Sequence, residues 1–163
     1  MTAQEMSEKN VLFLALGEEA GPDKIGPVQI RFIPFQSEPE RVARYYQASD
    51  VYVHPALADT FPNMVIEALA CGTPVIATAV GGVPEQVHDG ATGFLVPHRD
   101  SRAMAKAIMA LLSDDTLYSR YAQSAAEDAR KRFDVIRMVD NYLDWYREIL
   151  EKTRPQPEPK STA

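Results

Sequence analysis

The stretch His54–Thr78, HPALADTFPNMVIEALACGTPVIAT, sets the fold. Asp59 precedes a turn through Thr60, Phe61 and Pro62, and a helical run from Pro62 to Cys71 follows. Gly72 sits where a helix ends in a left-handed residue, and Pro74 prevents continuation. Val75 to Thr78 then opens an apolar strand. With Pro62 as the first helical residue, Asp59 lies just before the N-terminus and Glu67 falls in the second turn. The unpaired N–H groups of a helix start favour phosphate. Carboxylates on either side of them suit vicinal hydroxyls, which donate two hydrogen bonds to one acid. The stretch therefore suits a ligand with both a phosphate and a sugar.

Working outward, Val11 to Leu16 (VLFLAL) is a continuous apolar run ending at Gly17, the pattern of a strand buried on both faces. Gly21-Pro22 and Gly26-Pro27 mark a loop, and Ile30 to Phe35 reads as a second strand. Glu38 to Ala48 reads as a helix with Ser37 as candidate N-cap and Pro39 in its first turn. Val51–His54, Val75–Thr78 and Gly93–Val96 complete five strands, with a short helix near Pro84 to His88. From Asp100 onward the chain is helical: Ala103 to Leu112, Asp115 to Arg132, and a third helix with the stripe Ile136, Val139, Leu143, Tyr146 and Leu150. Strands alternating with helices predict an α/β, Rossmann-like parallel sheet covered by helices on both faces, with a helical C-terminus. Ligands of such sheets bind beyond the carboxyl ends of the strands, where His54, Asp59, Thr78 and Ala79 to Gly82 fall.

The motif Asp59-TFPNMVI-Glu67-ALACGTPV resembles the donor-binding C-terminal domain of the retaining GT-B glycosyltransferases of family 4, where two glutamates bracket seven residues. Gly81-Gly82-Val83-Pro84-Glu85-Gln86-Val87 and Asp89-Gly90-Ala91-Thr92-Gly93-Phe94-Leu95-Val96 match the same family, and the resemblance runs from about Gln29 to Leu150. It implies an enzyme that transfers a glycosyl group, with retention, from a nucleotide sugar to a glycan or lipid acceptor in cell-surface polysaccharide synthesis. Asp59 takes the place of the first glutamate and is implied to be the catalytic residue, placed on the hydroxyls of the donor sugar. Aspartate is one methylene shorter, so reach or sugar preference differs; the alternative is a helix-capping aspartate. Glu67 is implied to hold the ribose hydroxyls, and a carboxylate on a largely buried helix needs such a reason. Thr60, Phe61, Asn63 and Met64 are implied to offer backbone amides to the diphosphate, whereas Pro62 has none. Gly81 and Gly82 allow either a ligand or another turn to approach the backbone closely. No metal or other cofactor is implied, in keeping with the absence of an Asp-x-Asp pair.

Composition bounds the alternatives. The chain has 163 residues, 45% of them hydrophobic and 25% charged, enough for one domain with a real core. A formal net charge of −6 with scattered basic residues argues against nucleic acid as a partner. The single cysteine, Cys71, forms no internal disulfide and reads as a small core residue. His54 reads as a strand-end residue bonded to nearby backbone, and Arg130 to Arg132 as a helix C-terminus. Residues 1–9 are expected to form a disordered lead and 153–163 a proline-rich disordered tail around the domain at 10–152. No apolar run approaches the ~20 residues of a membrane helix, so the expected location is cytoplasmic, peripheral to the inner membrane face in a longer enzyme.

Against the family, a first strand, a helix and a basic pair for the diphosphate are expected before Val11, as is a whole N-terminal acceptor domain. The chain therefore reads as a truncated enzyme, weakly active at most on its own. Tyr142, Trp145 and Tyr146 are expected to leave an apolar patch for self-association through the C-terminal helices. Two other readings remain: a non-catalytic interaction module descended from such an enzyme, and another GT-B nucleotide-sugar enzyme such as a sugar-phosphate synthase or epimerase.

Overall fold

Val75–Thr78 (β5 below) is buried along its whole length, because its alternate side chains enter two separate cores. The computed structural model describes residues 11–26 and 28–153, so the expected lead 1–9 and residues 154–163 of the expected tail lie outside it. In chain order the elements are β1 Leu12–Leu16, β2 Asp23–Ile25, β3 Val28–Ile33, α1 Pro39–Gln47, β4 Tyr52–His54, α2 Asn63–Ala70, β5 Val75–Thr78, α3 Val83–Gln86 and β6 Gly93–Val96. Three longer helices follow: α4 Ser101–Leu112, α5 Asp115–Arg132 and α6 Val135–Thr153. Thr153, expected in the tail, is thus the last residue of α6.

The expected single sheet is instead two three-stranded sheets. One has the order β1-β3-β2, with β1 and β3 parallel and β2 antiparallel to β3. The other, β4-β5-β6, is wholly parallel, with Val53 opposite Ile76 and Ile76 opposite Phe94. Strand β2 lies in the expected loop; its three residues are all exposed and carry no alternating pattern, while Gly26 takes φ +59 to turn the chain. β1 is not buried on both faces either. Leu12, Leu14 and Leu16 are 43, 37 and 40% exposed, while Phe13 packs against the cluster that contains Ile76. A continuous apolar run does not say which of its faces will find a cover.

Around β5 the layers are complete. Val75 and Ala77 face α2, α3 and α5 through Val65, Leu69, Val83 and Ala125, all fully buried. Ile76 and Val96 face α4 through Ile108 and Leu111. Gly93 is required here, since a Cβ on it would overlap the Val75 carbonyl oxygen across the β5–β6 pair. Gly72, at φ +78, ends α2 as expected.

Helix starts divide into two kinds. Asp100, Asp114 and Asp134 cap α4, α5 and α6, accepting from the amides of Ala103 (2.8 Å), Leu117 (2.9 Å) and Ile136 (3.0 Å). The residues before α1, α2 and α3 are Glu38, Pro62 and Gly82, and none provides a side-chain cap. Glu38 rather than Ser37 occupies the N-cap of α1, with Pro39 first in the helix. Pro62 occupies the N-cap of α2 rather than its first turn, so the helix runs Asn63–Ala70.

Candidate donor site

β4 delivers His54 to the carboxyl edge of its sheet, and the chain turns through Asp59 and Thr60 into α2. Thr78, at the end of β5, donates its hydroxyl to the Ala56 carbonyl at 2.5 Å and fixes the root of this turn. At the other end, Gly82 donates its amide to the Thr60 carbonyl at 2.7 Å. A Cβ on Gly81 would overlap the Asp59 carbonyl oxygen, and one on Gly82 would lie 2.6 Å from the Phe61 ring. Both glycines thus let the 79–82 loop lie directly on the 59–61 turn. The Gly82 amide is occupied by that contact, which leaves it a structural duty in the site.

Gln86 comes from α3, is fully buried, and donates Nε2 to the Pro62 carbonyl at 3.0 Å. Its backbone carbonyl, with that of Glu85, accepts from the Arg132 guanidinium at 2.8 and 2.6 Å. Asp128 closes the clamp by accepting from Arg132 Nε at 2.9 Å through both oxygens. The last turn of α5 therefore holds α3, and α3 holds the start of α2. Sequence reasoning placed Arg132 at a helix end but did not find this clamp, whose partners lie over forty residues upstream.

The two candidate carboxylates lie at the two ends of one row of side chains. His54 is buried, with Nδ1 3.3 Å from the Tyr52 hydroxyl and Nε2 3.4 Å from Asp59 Oδ2. It therefore addresses two side chains, not the backbone expected of it. Tyr46, on α1, donates its hydroxyl to Glu67 Oε2 at 3.3 Å and packs edge-on against the Tyr52 ring at 5.5 Å. Thr73 holds the Tyr46 carbonyl at 2.7 Å. Glu67 itself is exposed, contrary to the expectation of a largely buried helix face, because α2 turns only Val65, Ala68 and Leu69 fully inward. Asn63 and Met64 are the first two residues of α2, so their amides point out of the uncapped end. Thr60, Phe61, Asn63 and Met64 are all exposed around it. Asp59 and Glu67 thus border a helix start that presents N–H groups to solvent, a setting that can hold a diphosphate and hydroxyl-bearing rings.

Burial, followed by the charges of Glu67 and Asp59, pushes the Tyr52 hydroxyl up to about 12 from its ordinary 10.0. Burial, with Tyr52 and Glu67 nearby, pushes Tyr46 higher still. Burial also raises the Cys71 thiol, which keeps it protonated and a poor nucleophile. Tyr52 makes stability sensitive to alkali. Below pH 10 both folded and unfolded chains hold the proton and the stabilisation is complete. Between pH 10 and about 12 the unfolded chain releases it first, so stability falls and is lost as pH passes the folded value. Urea titrations from pH 9 to 12 are expected to show this fall, and Tyr52→Phe to make it shallower, Tyr46 contributing the remainder.

Comparison with known proteins decides the kinship. The family described as "Glycosyl transferases group 1" matches residues 23–131. The chain belongs to it. This glycosyltransferase domain is 37% identical, over 129 residues, to D-inositol 3-phosphate glycosyltransferase 1 of Catenulispora acidiphila, covering 79% of this chain and 30% of that protein. Among solved structures it resembles the sucrose-phosphate synthase of Thermosynechococcus elongatus (TM-score 0.71, 34% identity, 77% of this chain and 31% of that one). It also resembles Anabaena HepE in complex with UDP-glucose (TM-score 0.68, 26% identity, 74% and 32%). The domain thus spans about a third of the length of these proteins. Its mixed α/β architecture, with the parallel β4-β5-β6 sheet between helices, is that of the C-terminal half of the GT-B fold.

Proposed function

We propose that this domain binds the nucleoside-diphosphate sugar donor of a retaining glycosyl transfer whose acceptor is a glycan or lipid. The carrying observation is the uncapped start of α2 between two carboxylates, Asp59 beside His54 and Glu67 held by Tyr46. In this reading the amides of Asn63 and Met64 face the diphosphate and oppose the charge that grows on it as the sugar leaves. Thr60, Phe61 and Gly81 shape the floor beneath it, and Gly82 holds that floor in place. Glu67 accepts hydrogen bonds from the ribose hydroxyls, and Asp59 from hydroxyls of the transferred sugar. In this reading the diphosphate charge falls to helix amides. The likeness to HepE, solved with UDP-glucose, favours a uridine donor. A glycan or lipid acceptor, a cell-surface role and a place at the cytoplasmic membrane face complete the proposed reading; among the described residues no helix is long and apolar enough to cross a membrane.

Titration of the domain with UDP, GDP, ADP and UDP-glucose, followed by amide chemical shifts, tests the reading. The expected result is saturable binding of one nucleotide, shifting the amides of Asn63 and Met64, and at least tenfold weaker in Glu67→Ala. That loss corresponds to about 1.4 kcal/mol. Absence of binding by any nucleotide at millimolar concentration would overturn it for this chain.

A further inference from the structure

Among the described residues, two buried side-chain polar atoms have no hydrogen-bond partner, and one of them, His54 Nε2, lies at the candidate site. His54 closes β4 opposite Ala77 of β5 and is 7% exposed. Its backbone carbonyl accepts from the Thr78 hydroxyl at 3.4 Å, so the ring leaves the sheet from a fixed root. Tyr52, two residues earlier on the same face of the strand, brings its hydroxyl to Nδ1 at 3.3 Å. Burial, followed by the charges of Glu67 and Asp59, pushes this hydroxyl up to about 12, so it keeps its proton at neutral pH. It therefore donates to Nδ1, and the ring carries its own proton on Nε2. That N–H lies on the side of Asp59, whose Oδ2 is 3.4 Å away.

Being buried, Nε2 does not meet a ligand directly. The Asp59 side chain is 27% exposed, so its carboxylate can turn one oxygen to His54 and the other outward. The Asp59 backbone is fixed, because its carbonyl lies against Gly81, and the carboxylate moves only through its own torsions. A buried N–H without an acceptor is costly, and a small turn of the carboxylate removes that cost. Contacts of this kind are commonly long in an empty site and tighten when substrate arrives. The turn itself does not need the pair. Thr78 already holds the Ala56 carbonyl, and the Gly82 amide holds that of Thr60.

We propose that His54 is a positioning residue: its Nε2–H holds one oxygen of Asp59 so that the other faces the hydroxyls of the donor sugar. The proposal rests on the donor-binding reading given above. Holding the carboxylate before the sugar arrives removes a freedom that binding would otherwise have to remove. The effect is confined to the sugar, since the diphosphate and ribose fall to α2 and Glu67.

Titration of the full 163-residue chain with UDP and UDP-glucose, together with imidazole nitrogen spectra of the ligand-free protein, tests this. The chain has three histidines, and the His54 signals are those lost in His54→Gln. A protonated Nε2 is expected at neutral pH, with its signal moved by Asp59→Ala. Asparagine can place its amide where Nδ1 stands but not reach Nε2, so His54→Asn should weaken UDP-glucose about tenfold more than UDP. Glutamine can set its amide nitrogen in the place of Nε2, and His54→Gln should recover most of that loss. In an Asp59→Ala background, His54→Asn should add no further selective loss. A residue that only braced the turn would weaken both ligands alike, with or without the Asp59 carboxylate. An unprotonated Nε2, an equal loss for both ligands, or an undiminished selective loss in Asp59→Ala overturns the proposal. Failure of the parent to bind either ligand overturns the donor reading and the sugar role with it, while the ring spectra still show whether His54 holds Asp59.

Discussion

Gly81→Ala is expected to unfold the domain at temperatures roughly 10 °C below the parent. The reason lies in two costs that add at one residue. Gly81 stands at φ +49, where a side chain is strained by ~1–2 kcal/mol. Its new methyl would also overlap the Asp59 carbonyl oxygen and lie 2.9 Å from the carbonyl carbon, both backbone atoms that no rotamer change can move. Overpacking of this kind costs ~1–3 kcal/mol. Together they approach 4 kcal/mol, and each kcal/mol lowers the midpoint by about 2–4 °C at this size. The relief available is to push the 59–61 turn away from the glycine loop, which would move Asp59 off His54. Calorimetry should report the lower midpoint, and the His54 ring shifts in NMR the displacement. A variant as stable as the parent would show that the two loops are less closely apposed.

Arg132→Leu is expected to cost about 3 kcal/mol, since it strips a charge-assisted partner from two carbonyls and leaves Asp128 with the more distant His88 Nδ1, 3.8 Å away. Asp128 is only 17% exposed, so its charge cannot simply turn to water. Arg132→Lys should recover little, because an ammonium cannot span Asp128 and the Glu85 and Gln86 carbonyls with one planar fork. Asp128→Asn should cost markedly less in the Arg132→Leu background than in the parent, a coupling read by urea unfolding of the four proteins. Equal costs in both backgrounds would mean that the pair acts as two independent residues. Loosening of α3 should also reach the start of α2, through the bond from Gln86 to the Pro62 carbonyl.

The sequence reading succeeded where local chemistry is decisive. Gly72 and Pro74 end α2 for reasons that any glycine and proline carry with them, and β5 is apolar at nearly every position because both its faces are covered. α5 was expected over its full observed span. The readings that failed depend on which surfaces meet. Whether Leu12, Leu14 and Leu16 find a cover is a property of neighbours, not of the run. The exposure of Glu67 follows from how α2 is rotated on the sheet, which its short apolar pattern left open. At the site, the Asp59 and Glu67 motif was visible, but the His54–Asp59 and Tyr46–Glu67 contacts were not. Each joins separate elements, and a histidine or tyrosine carries no sign of its distant partner. Gly81 and Gly82 were legible as places of close approach; that the approaching group is the Asp59–Phe61 backbone emerges only from the fold.

Proline at the N-cap of α2 has an evolutionary consequence. A serine there could accept a hydrogen bond from the helix amides and add about 1 kcal/mol of stability, as the aspartates before α4, α5 and α6 do for their helices. It would also engage the helix start that the proposed function assigns to the diphosphate. In that reading, robustness and ligand capture compete for one helix end, where a capping oxygen would take the Met64 or Val65 amide. Any lineage that improves the empty domain by capping α2 would do so at the expense of the occupied one.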